Sequence, residues 1–122
     1  MYLIDSNIII YSHSSKYEYL RGIFLEQSVC ISEITRVEVL GYHDFVLGEK
    51  AYYYQLIGST RIIFPTQEIF DKAIEIKQSK NIKLGDSIIA ATALVNDLVL
   101  YTRNVLDFKK IPDIKVINPI KE

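Results

Sequence analysis

Short apolar runs alternate along this chain with longer stretches in which apolar residues fall at helical spacing. The first run, YLID, reads as a short buried strand, and SNIIIYSH as a turn leading into a helix, although Ile8, Ile9 and Ile10 equally suit a longer strand. Residues 16–27 carry Tyr17, Leu20, Phe24 and Leu25 at helical spacing, and VCIS follows as a second strand. Ser32 has the side chain and position of a helix N-cap, so EITRVEVLGY predicts a helix closed near Gly41. FVLGEKAYYYQLI predicts another ending near Gly58, and RIIF a third strand. Thr66 can cap a helix over 67–79 with Ile69, Phe70, Ala73, Ile74 and Ile76 on or near one face. GDSIIAATALVND predicts a well-buried helix, LVLYT a fourth strand and KVIN a fifth.

Strands that alternate with helices in this way predict an α/β sandwich with a mainly parallel sheet of about five strands. Ligands in such folds gather beyond the carboxyl ends of the strands, which is where Asp5 stands. A carboxylate at the end of a buried strand raises a question, because burying a charge costs several kcal/mol unless it is paired or ligated.

Composition narrows the picture. At 122 residues, 49% apolar and 24% charged, the chain suits one globular domain over 1–122 with a core that needs no disulfide. The lone Cys30, within SVCIS, reads as a small buried hydrophobe rather than a catalytic thiol. The apolar stretch SIIAATALV is broken by Asn96 and Asp97 well short of a bilayer span, and the N-terminus has no basic leader, so a cytoplasmic protein is expected. Fourteen basic residues against fifteen acidic ones supply no overall field for nucleic acid, so a polyanion would need a local basic surface or bound metal ions.

The acids carry the candidate chemistry. In the helix after Ser32, Glu38 falls on a stripe with Ile34, Val37 and Gly41, which predicts that it faces the core; Asp86 stands in the same relation to Ile89, Ala90 and Ala93. Each has a structural reading: Asp5 as a helix cap, Glu38 at the edge of its stripe, Asp86 complementing a helix dipole. One cause accounts better for all three. Inward carboxylates from distant segments repel one another, and a shared divalent cation relieves them, magnesium or manganese suiting hard oxygen ligands. YTRNVLDF then places Thr102, Asn104 and Asp107 beyond another strand end, Asn104 as an oxygen ligand or water-positioning group and Asp107 as a further acid or the N-cap of a short helix holding Phe108. His13 and His43 have no zinc-ligand spacing with Cys30.

LIDSNIII, CISEITRVEVL, KLGDSIIAATAL and LYTRNVLDF, in this order and spacing, resemble the PIN-domain nucleases, most closely the VapC-type ribonuclease toxins of toxin–antitoxin modules. The resemblance spans nearly the whole chain. It implies a three-layer α/β/α sandwich in which Asp5, Glu38 and Asp86 bind Mg2+ or Mn2+, supported through hydrogen bonds by Ser6 or Asn7, Thr35 and Thr102. Family members often carry a fourth acid where this chain has Asn104, with Asp107 the nearest carboxylate. The implied activity is metal-dependent endonucleolytic cleavage of single-stranded or loop RNA, restrained by a small antitoxin, with homodimers common.

Lys80 and Lys83 before Asp86, and Arg103, Lys109 and Lys110 around Asn104 and Asp107, are candidate phosphate contacts or simply solvated lysines. The nine tyrosines could stack bases or pack the core and a dimer or antitoxin surface. A receiver domain would need an acid after the third strand, where RIIFPTQ has none, and a haloacid-dehalogenase-type phosphatase would need Asp where Asn7 stands. The remaining alternative is a non-catalytic PIN-like module that binds RNA or protein.

Overall fold

A computed structural model of the chain describes residues 1–26 and 28–121. Its strands are β1 (Tyr2–Ile4), β2 (Val29–Ser32), β3 (Arg61–Ile63), β4 (Val99–Tyr101) and β5 (Lys115–Ile117). Its α-helices are α1 (Ser6–Ser12), α2 (Arg21–Glu26), α3 (Glu33–Leu40), α4 (Glu49–Gly58), α5 (Gln67–Ser79), α6 (Leu84–Val95) and α7 (Val105–Phe108). The strands form one five-stranded sheet in the order β3-β2-β1-β4-β5, every neighbouring pair parallel.

Because successive strand residues point to opposite faces, each strand feeds two cores. Leu3, Cys30 and Leu100 pack against Ile69, Ala73 and Ile76 of α5 and the Ile89, Ala90 and Ala93 face of α6. Their neighbours Ile4, Ile31 and Tyr101 pack on the other side against Ile8 and Ile9 of α1, Val39 of α3 and Tyr53 and Ile57 of α4. The result is the three-layer α/β/α sandwich. Each fully buried Leu or Ile stabilises it by roughly 2 kcal/mol. No helix among the described residues is long and apolar enough to cross a membrane.

The topology also positions the site. From β1 the sheet grows through β2 to β3, then the chain returns to place β4 on the other side of β1. At such a reversal the loops beyond the two adjacent strands diverge and leave a crevice. Asp5 follows β1 and Thr102 follows β4, on the two walls of that crevice.

The structure departs from the sequence pattern in several places. SNIIIYSH is helical from Ser6 because the Asp5 side chain accepts a hydrogen bond from Ser6 N and caps the turn. Residues 16–26 are not one helix: a 3-10 helix over Ser15–Leu20, kinked at Tyr17, precedes α2, and Leu25 lies 87% exposed; Gln27 falls outside the described residues. α4 starts only at Glu49, after Gly48 takes φ of 86°, a left-handed turn that suits glycine. A Cβ at Gly41 would stand 2.5 Å from the Val37 carbonyl, which explains why glycine closes α3. On α5, Phe70 and Ile74 are exposed, leaving Ile69, Ala73 and Ile76 as its buried stripe.

Candidate functional site

Asp5 is 5% exposed and is held by short-range donors from both walls of the crevice. Its Oδ1 accepts from Ser6 N at 2.8 Å, while Oδ2 accepts from Thr102 Oγ1 at 2.8 Å and Asn7 Nδ2 at 3.3 Å. The same Thr102 oxygen accepts from Asn7 Nδ2 at 3.2 Å and from Asn104 N at 3.0 Å. Asn7 Oδ1 in turn accepts from Arg103 N at 3.1 Å. Buried Asp5 and Thr102 and half-buried Asn7 thus form one knot joining the ends of β1 and β4. Burial pushes the Asp5 carboxyl above its ordinary pKa, and hydrogen bonds from Thr102 and Ser6 offset only part of that shift.

Glu38 and Asp86 approach the same crevice. Glu38 lies on the open side of α3, not on its core face, which consists of Thr35 and Val39; Val37, assigned to the inward stripe by spacing, is 60% exposed. The reason is that Ser32 caps the helix and turns Thr35 and Val39, four residues apart, toward the sheet. The end of the Glu38 side chain nevertheless reaches the first turn of α6, where its Oε2 would stand 3.5 Å from a Cβ at Gly85. Partial burial, then the charges of Asp5 and Asp86, raise its pKa. Asp86 is raised by burial and then by Asp5, against a lowering by Lys83 and a further push from Asp107.

The donors are all hard oxygens, and Asp5 raises the pKa of both Glu38 and Asp86 while Asp86 raises that of Glu38, the electrostatic condition that a divalent cation relieves; in that sense the set fits magnesium or manganese. Among the described residues, however, no three acidic, histidine or cysteine side chains form a ready-made metal cage.

The supporting residues differ in role. Ser6, Asn7 and Thr102 all belong to the Asp5 network. Thr35 is fully buried and its Oγ1 finds no hydrogen-bond partner among the described residues. Asp107 is not a helix N-cap: Asn104 occupies that position of α7, without a capping bond from its side chain, and Asp107 lies in the first turn with Lys110 Nζ 3.7 Å away. The carbonyl of Asn104 starts the turn in its stead, accepting from Phe108 N. Asn104 and Asp107 share with Asp86, Lys83 and Lys110 the lining of an open cleft of about 440 Å³. Of the candidate phosphate contacts, Lys83 and Lys110 therefore stand at the acids and Arg103 at the next cavity. Lys80 lines a separate hollow beside α5, and Lys109 is exposed at the end of α7.

Sequence reasoning missed Tyr11 and Asn118, which line a cavity of about 580 Å³ with Asn7, Arg103 and Asn104. Asn118 directly follows β5, so the strand-end rule applied to the fifth strand points to it. Tyr11 is one helical turn beyond Asn7 on α1.

The raised acids carry a stability consequence. Folding favours their protonated forms, so the metal-free protein is most stable where they are neutral and loses that contribution as pH rises through their folded pKa values. Below about pH 4 the unfolded chain's carboxyls are protonated too, and the contribution is fully present. Asp86→Asn should therefore reduce the fall in melting temperature between pH 5 and pH 8 in EDTA; equal falls in both proteins would contradict the mutual repulsion.

The PIN domain pattern matches residues 2–114. The chain is 30% identical to ribonuclease VapC10 of Mycobacterium tuberculosis over 94% of its own length and 91% of that protein's. Among solved structures, a toxin–antitoxin complex from Klebsiella pneumoniae superposes with a TM-score of 0.80 at 31% identity, covering 100% of both chains. DNA-bound VapBC from Salmonella typhimurium has the same fold, with a TM-score of 0.82 at 22% identity over 95% of this chain and 96% of that one. Matched by this pattern over most of its length, and by a VapC relative end to end, the chain belongs to the PIN-domain family, in its VapC group.

Proposed function

We propose that this protein is a divalent-cation-dependent endoribonuclease that cleaves single-stranded or loop RNA and serves as the toxin of a toxin–antitoxin pair in the cytoplasm. The observation that carries the reading is Asp5, buried at the crevice between β1 and β4 and within electrostatic reach of Glu38 and Asp86. A relative with the name of a ribonuclease and a neighbour solved as a toxin–antitoxin complex support it. By the same likeness a small antitoxin is the expected partner, and a homodimer the expected assembly.

Asp5, Glu38 and Asp86 would hold Mg2+ or Mn2+, with Asn104 or Asp107 completing the set. Bound there, the cation would neutralise phosphate charge and make an attacking water more acidic. Both Asp5 oxygens already accept hydrogen bonds, so Asp5 fixes position rather than moving a proton. Glu38, exposed on α3, and Asp86, lining the open cleft, would hold the cation with oxygens left to orient the attacking water. Lys83 and Lys110 at the cleft are placed to contact phosphate oxygens without reading sequence.

The test is incubation of the purified protein with single-stranded RNA. Cleavage with magnesium or manganese and none with EDTA is expected; RNA left intact under both conditions, together with retained RNA binding, would instead identify a non-catalytic module. In calorimetry without RNA, Asn104→Asp, which adds a carboxylate beside Asp86 and Asp107, should tighten binding of a second manganese ion, and Asp107→Ala should leave that stoichiometry unaltered. Loss of a tightly bound ion on Asp107→Ala would transfer the fourth role to Asp107.

A further inference from the structure

Three hollows adjoin one another in series, each sharing a lining residue with the next. The acid cleft and the cavity of about 580 Å³ share Asn104. That cavity shares Arg103 with a third, of about 420 Å³, whose other lining residues are Lys16, Tyr17 and Lys121. Carboxylates line only the first, whereas the middle one is lined by amides, an aromatic ring and Arg103, and the third by cations and an aromatic ring.

The middle hollow is built around a pinned guanidinium. Arg103 lies over the Tyr11 ring, 5.1 Å from its centroid, and its Nη1 donates to Tyr11 Oη at 2.6 Å. Tyr11 is braced edge-on by Tyr17, with ring centroids 5.0 Å apart. Asn118 accepts from Ile120 N at 3.0 Å, which fixes its carboxamide and leaves its NH2 as a donor at the cavity wall. The cations of the third hollow are likewise held by aromatic rings: Lys16 Nζ is 5.3 Å from the Tyr17 centroid and Lys121 Nζ 5.8 Å from that of Tyr19. Lys121 N also accepts fixation from Tyr19, donating to its Oη at 2.8 Å. Preorganised planes and charges of this kind suit a single-stranded nucleic acid, whose bases stack on guanidinium or aromatic faces and whose phosphates pair with cations.

We infer that the series is a single-strand track: the nucleotide next to the cleaved phosphate stacks its base on the Arg103 guanidinium in the middle hollow, with Asn118 reading the base edge, and the following phosphates are bound by Lys16 and Lys121. This rests on the reading of the acid cleft as a ribonuclease site. It gives Arg103 the task of holding the base and Asn118 that of reading it, and adds to the cleft lysines two further phosphate contacts that lie far from the acidic motifs in sequence.

Three variants separate the roles. Arg103→Lys keeps the charge and removes the plane, so binding of a fluorescein-labelled octamer in EDTA should weaken about tenfold. Asn118→Ala removes the edge-reading amide, so cleavage of a randomised single-stranded RNA pool should lose base preference at one position beside the cut. Lys16→Ala combined with Lys121→Ala should keep the base preference and flatten the dependence of log affinity on log salt by about 1.4, the share of two phosphate contacts on a single strand. Unchanged octamer affinity in Arg103→Lys, an unchanged preference in Asn118→Ala, or an unchanged salt slope in the double variant overturns the track. Those outcomes are distinct from failure of the nuclease reading, in which the unmodified protein cleaves no RNA with either metal while the EDTA binding measurements still report on the track.

Discussion

Asp5→Asn is expected to reduce RNA cleavage by at least roughly a thousandfold, the scale on which removal of one preorganised charge-handling group acts in enzyme sites. Asparagine retains one oxygen that can accept from Ser6 N, so the cap on α1 survives. It replaces the other oxygen by an NH2 group facing Asn7 Nδ2, a donor, and Thr102 Oγ1. The lost acceptor costs stability on the order of 1 kcal/mol, and relief of repulsion with Glu38 and Asp86 opposes it. The melting temperature in EDTA should accordingly move by only a few degrees while activity and manganese affinity collapse. Full activity with unchanged manganese binding would remove Asp5 from the site.

The elements were legible because strand and helix differ in period and because the caps at Ser32 and Thr66 are local hydrogen-bond chemistry. Asp5 was singled out by its place at a strand end, and Asp86 by its spacing from Ile89, Ala90 and Ala93, which are all buried on α6. Glu38 was found for a reason the structure corrects. Its spacing from Ile34 implied burial, but a helix lodged between the two cores does not have one inward stripe: Ile34 packs toward one cluster and Val39 toward the other, and Glu38 is left at the rim. Asp107 misled because an acid before a phenylalanine resembles a cap; the turn starts instead at Asn104, three residues earlier. Tyr11 had only its place one turn beyond Asn7 to mark it and Lys121 no local signal at all, since their relevance arises from the return of β4 and β5 beside β1, which places residues from both chain ends around Arg103.

Thr102→Val should then be more damaging to the fold than Asp5→Asn, although it removes no charge. Thr102 is fully buried and its hydroxyl serves three partners, donating to Asp5 Oδ2 and accepting from Asn7 Nδ2 and Asn104 N. Valine fills the same volume, so packing is preserved and the effect is that of the lost hydroxyl alone. The Asn104 amide at the start of α7 and one acceptor site on a buried carboxylate both lose their partner, and each unsatisfied buried group costs about 1–3 kcal/mol. A net loss of about 3 kcal/mol is expected, readable as a lowered urea midpoint with an unchanged slope. The Asp5 carboxyl, deprived of the hydrogen bond that most favours its charged form, should rise further in pKa, so the residual cleavage activity of the variant should recover at higher pH than that of the unmodified protein. Thr102→Ser, which keeps the hydroxyl, should restore the pH profile even where it leaves a small packing defect. A pH profile unaltered in Thr102→Val would mean that Asp5 is tuned by burial alone, and that the knot between β1 and β4 holds the fold without setting the charge of the site.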